Sequence, residues 1–265
     1  MNGRISTQVL WTIGICWLAA PAAQGEAPPP LEAADDGQGG DYNRVGDFKM
    51  PTSEVVGLEV AIRVTLNRMY IDENEDSSQC PVRQGLPDLQ AFEGQVRYLG
   101  PPEVFDNNAL SDPKWVGAKL QCTPHYRDWS ASALATDLGI DSADAETIYY
   151  YGAEVVPCSI YAVQQATQLC VDSANEECFS EALEVRTAVW ADVTGDGLVN
   201  FTDIGDEVRA FKSIPLAAGG LGNWRSMLRD NEGAPGNGVN FTDIGRTVDG
   251  FKTIPYKENG PSVCP

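Results

Sequence analysis

The chain has a single histidine, His125, in 265 residues. That scarcity excludes His-x-x-His zinc sites and every motif that needs two imidazoles. A Ser-His-Asp triad would have to use His125, and no Gly-x-Ser-x-Gly turn is present to carry its serine. Cys-x-x-Cys is also missing, which removes the common zinc and dithiol spacings. Positive charge is sparse: 18 Lys and Arg stand against 38 Asp and Glu, a net charge of −20. Nucleic acid and anionic membrane both call for a basic footprint, so neither is expected as a partner. Beyond the N-terminal leader no apolar run is long enough to span a bilayer. Acidic residues are plentiful, yet no pair is singled out as the two carboxylates of a glycosidase. A non-enzymatic chain is therefore expected. His125 lies in Cys122-Thr-Pro-His-Tyr-Arg-Asp-Trp129. That stretch either lines a ligand site or is an ordinary packed loop with Arg127 and Asp128 on the surface, and the packed loop is the default.

What is present begins with a secretory signal, expected over residues 1–25. Arg4 supplies its positive end, Val9 to Ala20 its apolar run, and Ala20-Pro-Ala22 or Ala23-Gln-Gly25 its small-residue cleavage site. Bulky Ile15 before Cys16 disfavours lipidation. Six cysteines follow the signal: Cys80, Cys122, Cys158, Cys170, Cys178 and Cys264. An even set in an exported chain implies up to three disulfides, and fifteen pairings are open. Cys170 with Cys178 is the preferred pair, because it would staple the short polar loop between them.

Residues 26–54 are rich in Pro, Gly and charge and are expected to be a disordered linker. Residues 55–191 change character. Leu58, Val60, Ile62, Val64 and Leu66 alternate with period two, the signature of a half-buried strand. Further strands are expected over 94–99, 118–122, 147–155, 159–166 and 182–190, separated by Gly-Pro-Pro, Asn-Asn and Asp-Pro breaks. Six or seven short strands without a strong helix between them predict an antiparallel β-sandwich. Such a sandwich is a common scaffold for carbohydrate or protein binding.

Residues 192–256 hold an internal repeat. Asn200 to Pro215 recurs as Asn240 to Pro255, identical at eleven of sixteen positions with an offset of forty. Each copy predicts a short helix capped by Asn200 or Asn240, with Asp203 or Asp243 three residues on. Ile204, Val208 and Phe211 share one stripe, as do Ile244, Val248 and Phe251. Neither helix can bury its stripe alone, so the two are expected to pack on each other. Directly before the first helix, Asp192, Thr194, Asp196, Leu198, Asn200 and Asp203 occupy positions 1, 3, 5, 7, 9 and 12 of a twelve-residue loop, with Gly197 at position 6. That is the spacing of an EF-hand-like Ca²⁺ loop. Calcium is a hard cation that takes six to eight oxygens, so the chain must present one at every second residue, Leu198 through its carbonyl. Glycine at position 6 permits the sharp turn.

A calcium loop feeding one helix, twice within a short C-terminal stretch, resembles the type I dockerin. The resemblance implies a half EF-hand pair that depends on calcium and binds cohesin-like proteins, best known from polysaccharide-degrading assemblies. It also implies an alternative role as a carbohydrate-binding or hydrolase accessory. Thr194 departs from the acid or amide usual at position 3. The second copy departs further. Asp230, Glu232, Asn237, Asn240 and Asp243 could form a weaker second metal site, but the chain around Pro235 breaks the spacing. Where the family often carries small hydroxyl residues that choose the cohesin, this chain has Phe201–Thr202 and Phe241–Thr242. These phenylalanines are expected to pack inward and join the copies, which would suit intramolecular docking of the module. Separately, Val155-Val-Pro157-Cys-Ser-Ile-Tyr161 resembles the corner before the sixth strand of a fibronectin type III domain, which implies a tyrosine hydroxyl bonded back to nearby backbone. Trp190-Ala-Asp192 ahead of the repeat and the Gly260-Pro-Ser-Val-Cys264-Pro265 terminus are similar to those of a group of bacterial secreted proteins with this repeat. A tail over 257–265 completes the chain.

Overall fold

A computed structural model describes residues 27–34, 43–51, 57–69, 93–106, 114–152, 154–212, 239–254, 256, 260 and 264. The expected signal lies outside them. Among the described residues eight strands form one sheet: β1 (Val45–Lys49), β2 (Glu59–Met69), β3 (Val96–Asp106), β4 (Lys114–Gln121), β5 (Arg127–Asp128), β6 (Thr147–Tyr151), β7 (Ser159–Thr167) and β8 (Leu183–Arg186). Their order is β1-β6-β4-β3-β2-β7-β8, with β5 attached to the start of β2. β1 and β8, at the two ends of that order, approach each other, so the sheet curls towards a barrel. The protein is mainly β, as expected, but the sheet is mixed: β4 and β6 run parallel, while the other pairs are antiparallel.

The alternation in β2 does what its spacing predicts. Val60, Ile62, Val64 and Leu66 are buried in the core with Leu99, Leu120, Ile148 and Val163 from neighbouring strands. Tyr161 is fully buried, and its hydroxyl donates to the Glu154 carbonyl at 2.9 Å and accepts from the Val156 amide at 2.8 Å. This back-bonded corner is the local geometry that the Pro157–Tyr161 stretch implied. Around Thr147–Tyr151 both faces are covered. Ile148 and Tyr150 enter the main core, whereas Tyr149 and Tyr151 join Val45, Phe105 and Trp115 in a second cluster.

Three expectations need correction. The stretch expected to be a linker contains β1, because Val45 and Phe48 have no exposure and fill the sheet between charged neighbours. Gly100-Pro101-Pro102 does not end a strand. β3 continues through it, and its pairing with β4 shifts between Leu99 and Pro102, where proline has no N–H to give the ladder. A helix does sit among the strands: α1 (Ala131–Leu138), capped by the Ser130 hydroxyl and ended by Gly139 in left-handed conformation.

The other α-helices among the described residues are a short α2 (Gln168–Asp172) and the repeat pair, α3 (Phe201–Phe211) and α4 (Phe241–Phe251). Cys170 and Cys178 are bonded, as preferred from sequence. Cys122 at the end of β4 is bonded to Cys264, which returns the C-terminal end to the sheet. Cys158 is disulfide-bonded too. No helix among the described residues is long and apolar enough to cross a membrane.

Candidate metal centre

The loop from Asp192 to Asp203 is anchored where the repeat meets the sheet. Trp190, Ala191 and Val193 belong to the same core as β2 and β7, and so does Tyr256 beyond α4. The boundary expected at residues 191–192 therefore runs through a continuous core. The Trp190 and Tyr256 rings meet edge to face at 4.7 Å.

From there the chain wraps around two carboxylates. Asp192 Oδ1 accepts from Gly195 N at 2.6 Å, and Oδ2 accepts from Gly197 N at 2.7 Å. Asp203 Oδ1 accepts from the amides of Val193 at 2.9 Å and Thr194 at 3.0 Å, and Oδ2 accepts from Asn200 N at 2.7 Å. The Thr194 hydroxyl lies between the two acids, 3.3 Å from Asp192 Oδ1 and 3.0 Å from Asp203 Oδ1. Gly195 and Gly197 hold φ of 74° and 83°, a region costly for residues with a Cβ. The glycine at position 6 thus does the turning that its place predicted.

Each remaining position has a defined environment. Asp196 Oδ1 accepts from Leu198 N at 2.9 Å, and the Leu198 side chain points to solvent. The Asn200 side chain accepts from Thr202 N at 2.7 Å, and with Asp203 it completes a capping box at the start of α3. In the second copy, Asn240 and Asp243 repeat that box with bonds of 2.7 Å and 2.9 Å. Asp230, Glu232 and Asn237 lie outside the described residues.

Among the described residues no group of three or more His, Cys, Asp or Glu side chains is arranged to hold a metal. The hydrogen bonds explain this: the three loop carboxylates are turned onto the loop's own N–H groups. The donor set nevertheless suits a hard cation. Asp192 and Asp203 are 2 % and 0 % exposed, and among the described residues no Arg or Lys pairs with either. Burial pushes the Asp192 carboxyl up to about 6; the Gly197 and Gly195 amides oppose the rise, and the charges of Asp203 and Asp196 add to it. Asp206 is raised as well, first by burial, with Arg209 opposing and Asp203 adding. Two buried acids with one hydroxyl between them form a pocket of negative potential that a divalent ion would neutralise.

The helix pair differs from expectation in two respects. The two helices are antiparallel, with Phe201 on Phe251 and Phe211 on Phe241, each pair 4.7 Å apart. The buried stripe, however, is Asp203, Glu207 and Ala210 in α3 and Asp243, Thr247 and Gly250 in α4. Ile204, Val208, Phe211, Ile244 and Val248 are half-buried and Phe251 is exposed. Asp203 must turn into the loop to cap it, and that rotates the helix by one position. Phe201 and Phe241 do not pack inward; they are 75 % and 77 % exposed.

His125 is half-buried and edge-on to Trp129, with its pKa lowered by burial and by Arg127. Arg127 binds Asp137 at 2.9 Å, and Asp128 accepts from Ser130 N and Gly57 N. These contacts fasten α1 to β2, so the cluster has a packing role. No family model, no curated protein and no solved structure matches the chain.

Proposed function

We propose that this chain is an exported, non-enzymatic calcium-binding protein. Its dockerin-like repeat holds one structural Ca²⁺ through Asp192, Thr194, Asp196, the Leu198 carbonyl, Asn200 and Asp203. One observation carries the reading: two buried carboxylates, Asp192 and Asp203, share a loop of calcium spacing with no cationic side chain beside them among the described residues. Calcium supplies the missing charge. The loop's glycines and capping box hold the acids in place, and the Thr194 hydroxyl bridges them. The bonds Cys122–Cys264 and Cys170–Cys178 support an oxidising, extracellular setting. There calcium is abundant, so a constitutive ion suits the chain better than a switch. The loop root shares its core with the sheet, which supports a structural role for the repeat within this chain.

The test is calorimetric melting with calcium and with chelator. Calcium at a thousand times its Kd adds about 4 kcal/mol to stability. The melting temperature is expected to rise with calcium in the wild type and to stay put in Asp192→Ala. No calcium effect in the wild type would sink the proposal.

The exposure of Phe201 and Phe241 favours a second role beside the first. The repeat would present them to a cohesin-like protein, and binding to immobilised cohesin modules tests this directly.

A further inference from the structure

We infer that Asn43, in the N-terminal segment, is a positioning residue for the calcium loop; the inference rests on the calcium reading above. Asn43 has no exposure, and its amide grips the root of the loop at two points. Its Oδ1 accepts from Ala191 N at 2.8 Å, and its Nδ2 donates to the Asp192 carbonyl at 2.7 Å. Asp192 N in turn donates to the Val189 carbonyl at 3.0 Å. The main chain of position 1 is thus held at its N–H and its C=O. Only side-chain rotation remains to place the carboxylate.

The grip falls on strained backbone. Ala191 has φ of 72°, a left-handed conformation unfavourable for a residue with a Cβ. Left alone, the chain here would relax, and Asp192 would swing away from Asp203. The Asn43 amide accepts from one residue and donates to the next, a pattern that the left-handed turn allows. The neighbours of Asn43 carry the anchorage into the sheet. Arg44 Nε donates to the Val155 carbonyl at 3.4 Å, its guanidinium lies 5.7 Å from the centre of the Tyr256 ring, and Val45 opens β1 opposite Tyr151. A residue 149 positions before Asp192 therefore sets the geometry of the first ligand. Groups that orient metal ligands in this way typically account for 10–100-fold in metal affinity.

The experiment is calcium titration by calorimetry of the full chain, first stripped with chelator, at a temperature where circular dichroism shows it folded. Wild type is compared with Asn43→Ala and Asn43→Asp. Both variants are expected to bind calcium at least ~10-fold more weakly. Asn43→Asp is the sharper one. It keeps the acceptor for Ala191 N and adds a negative charge near the ion, so charge alone would tighten binding. It also sets an oxygen against the Asp192 carbonyl, so loss of positioning weakens binding. A purely structural role would lower the melting temperature equally with and without calcium and leave the affinity unchanged, which overturns the inference. Should both variants fail to fold, hydrogen exchange on the wild type decides. Calcium should slow exchange of the Ala191 amide at least ~10-fold, in proportion to the coupling, and unchanged exchange overturns the inference. A wild type that binds no calcium ends the calcium reading and this inference together, an outcome distinct from wild-type binding with unaffected variants.

Discussion

Gly250 in α4 lies directly against Ala191 at the root of the Asp192–Asp203 loop. A Cβ on Gly250 would collide with the Cβ of Ala191 and stand 3.1 Å from the Trp190 carbonyl. The first copy of the repeat has Ala210 at the matching position, so the glycine that seats α4 on the loop is one of the five positions at which the copies differ. Glycine inside a helix costs about 1 kcal/mol relative to alanine. Gly250→Ala should therefore stabilise if helix propensity decided, but overpacking of about 1–3 kcal/mol opposes it and is the larger effect. The variant is expected to melt lower than wild type. Ala191→Gly removes the colliding methyl and relieves the left-handed strain, so the double variant should recover most of the loss. Additive effects in that double-mutant cycle would show that the two residues are not in contact.

The pH response of the metal-free protein follows from Asp192. Its folded pKa of about 6 lies above the ordinary value of 3.8. The folded state therefore holds this proton more tightly than the unfolded state does. The resulting stability is fully present below the unfolded value and is lost as pH rises through 6. In chelator, the wild type should gain stability between pH 7 and pH 5 beyond any gain in Asp192→Asn. With calcium the trend should reverse, because the ion needs the ionised carboxylate. Identical pH curves for wild type and Asp192→Asn in chelator would refute this.

Sequence made some of this legible and concealed the rest, for identifiable reasons. β2 was plain because Val60, Ile62, Val64 and Leu66 face one core while Ala61, Arg63 and Thr65 between them are small or polar, which writes a period of two although Ala61 and Arg63 are buried as well. β1 was hidden because only Val45 and Phe48 of its five residues are large and apolar, amid charges. Gly100-Pro101-Pro102 carries the usual signs of a break, yet a bulge uses the same residues without ending the strand. α1 had its markers in Ser130 and Gly139, but eight residues are too few to establish a helical period. In the loop, the turn at Gly197 and the cap at Asn200 and Asp203 could be placed from spacing alone, since both are local. Asn43 could not, since nothing in its own neighbourhood records a contact 148 positions away. The outward turn of Phe201 was equally hidden, because it depends on Asp203 rotating the helix to cap it.

The two mapped disulfides should differ in worth. Cys122–Cys264 spans 142 residues and Cys170–Cys178 spans eight. In the chain-entropy account a longer closed loop removes more freedom from the unfolded chain, which makes the long bond worth about 2.5 kcal/mol more. The paired serine variant at Cys122 and Cys264 should melt below the paired variant at Cys170 and Cys178. It should also lose part of its calcium effect, because Cys264 holds the end of the chain that follows Tyr256. Equal melting temperatures would mean that the tail is already fastened by the packing of Tyr256.

Phe201 and Phe241 separate a structural repeat from an anchoring one. Truncating a buried Phe costs about 3–5 kcal/mol. These two are mostly exposed, and each touches one ring of the opposite helix. An aromatic pair of that kind contributes roughly 0.5–1.5 kcal/mol. The double variant Phe201→Ser, Phe241→Ser should thus lose no more than about 2–3 kcal/mol and keep its calcium affinity, because neither side chain is among the proposed ligands. Two large rings left mostly in water add little to stability beyond these pairs, whereas aromatic side chains often dominate binding once buried by a partner. If the repeat anchors the chain, capture by a cohesin-like protein should fall at least ~10-fold in this variant while melting barely moves. A large drop in melting temperature with no captured partner in the wild type would instead assign the rings to packing within the chain.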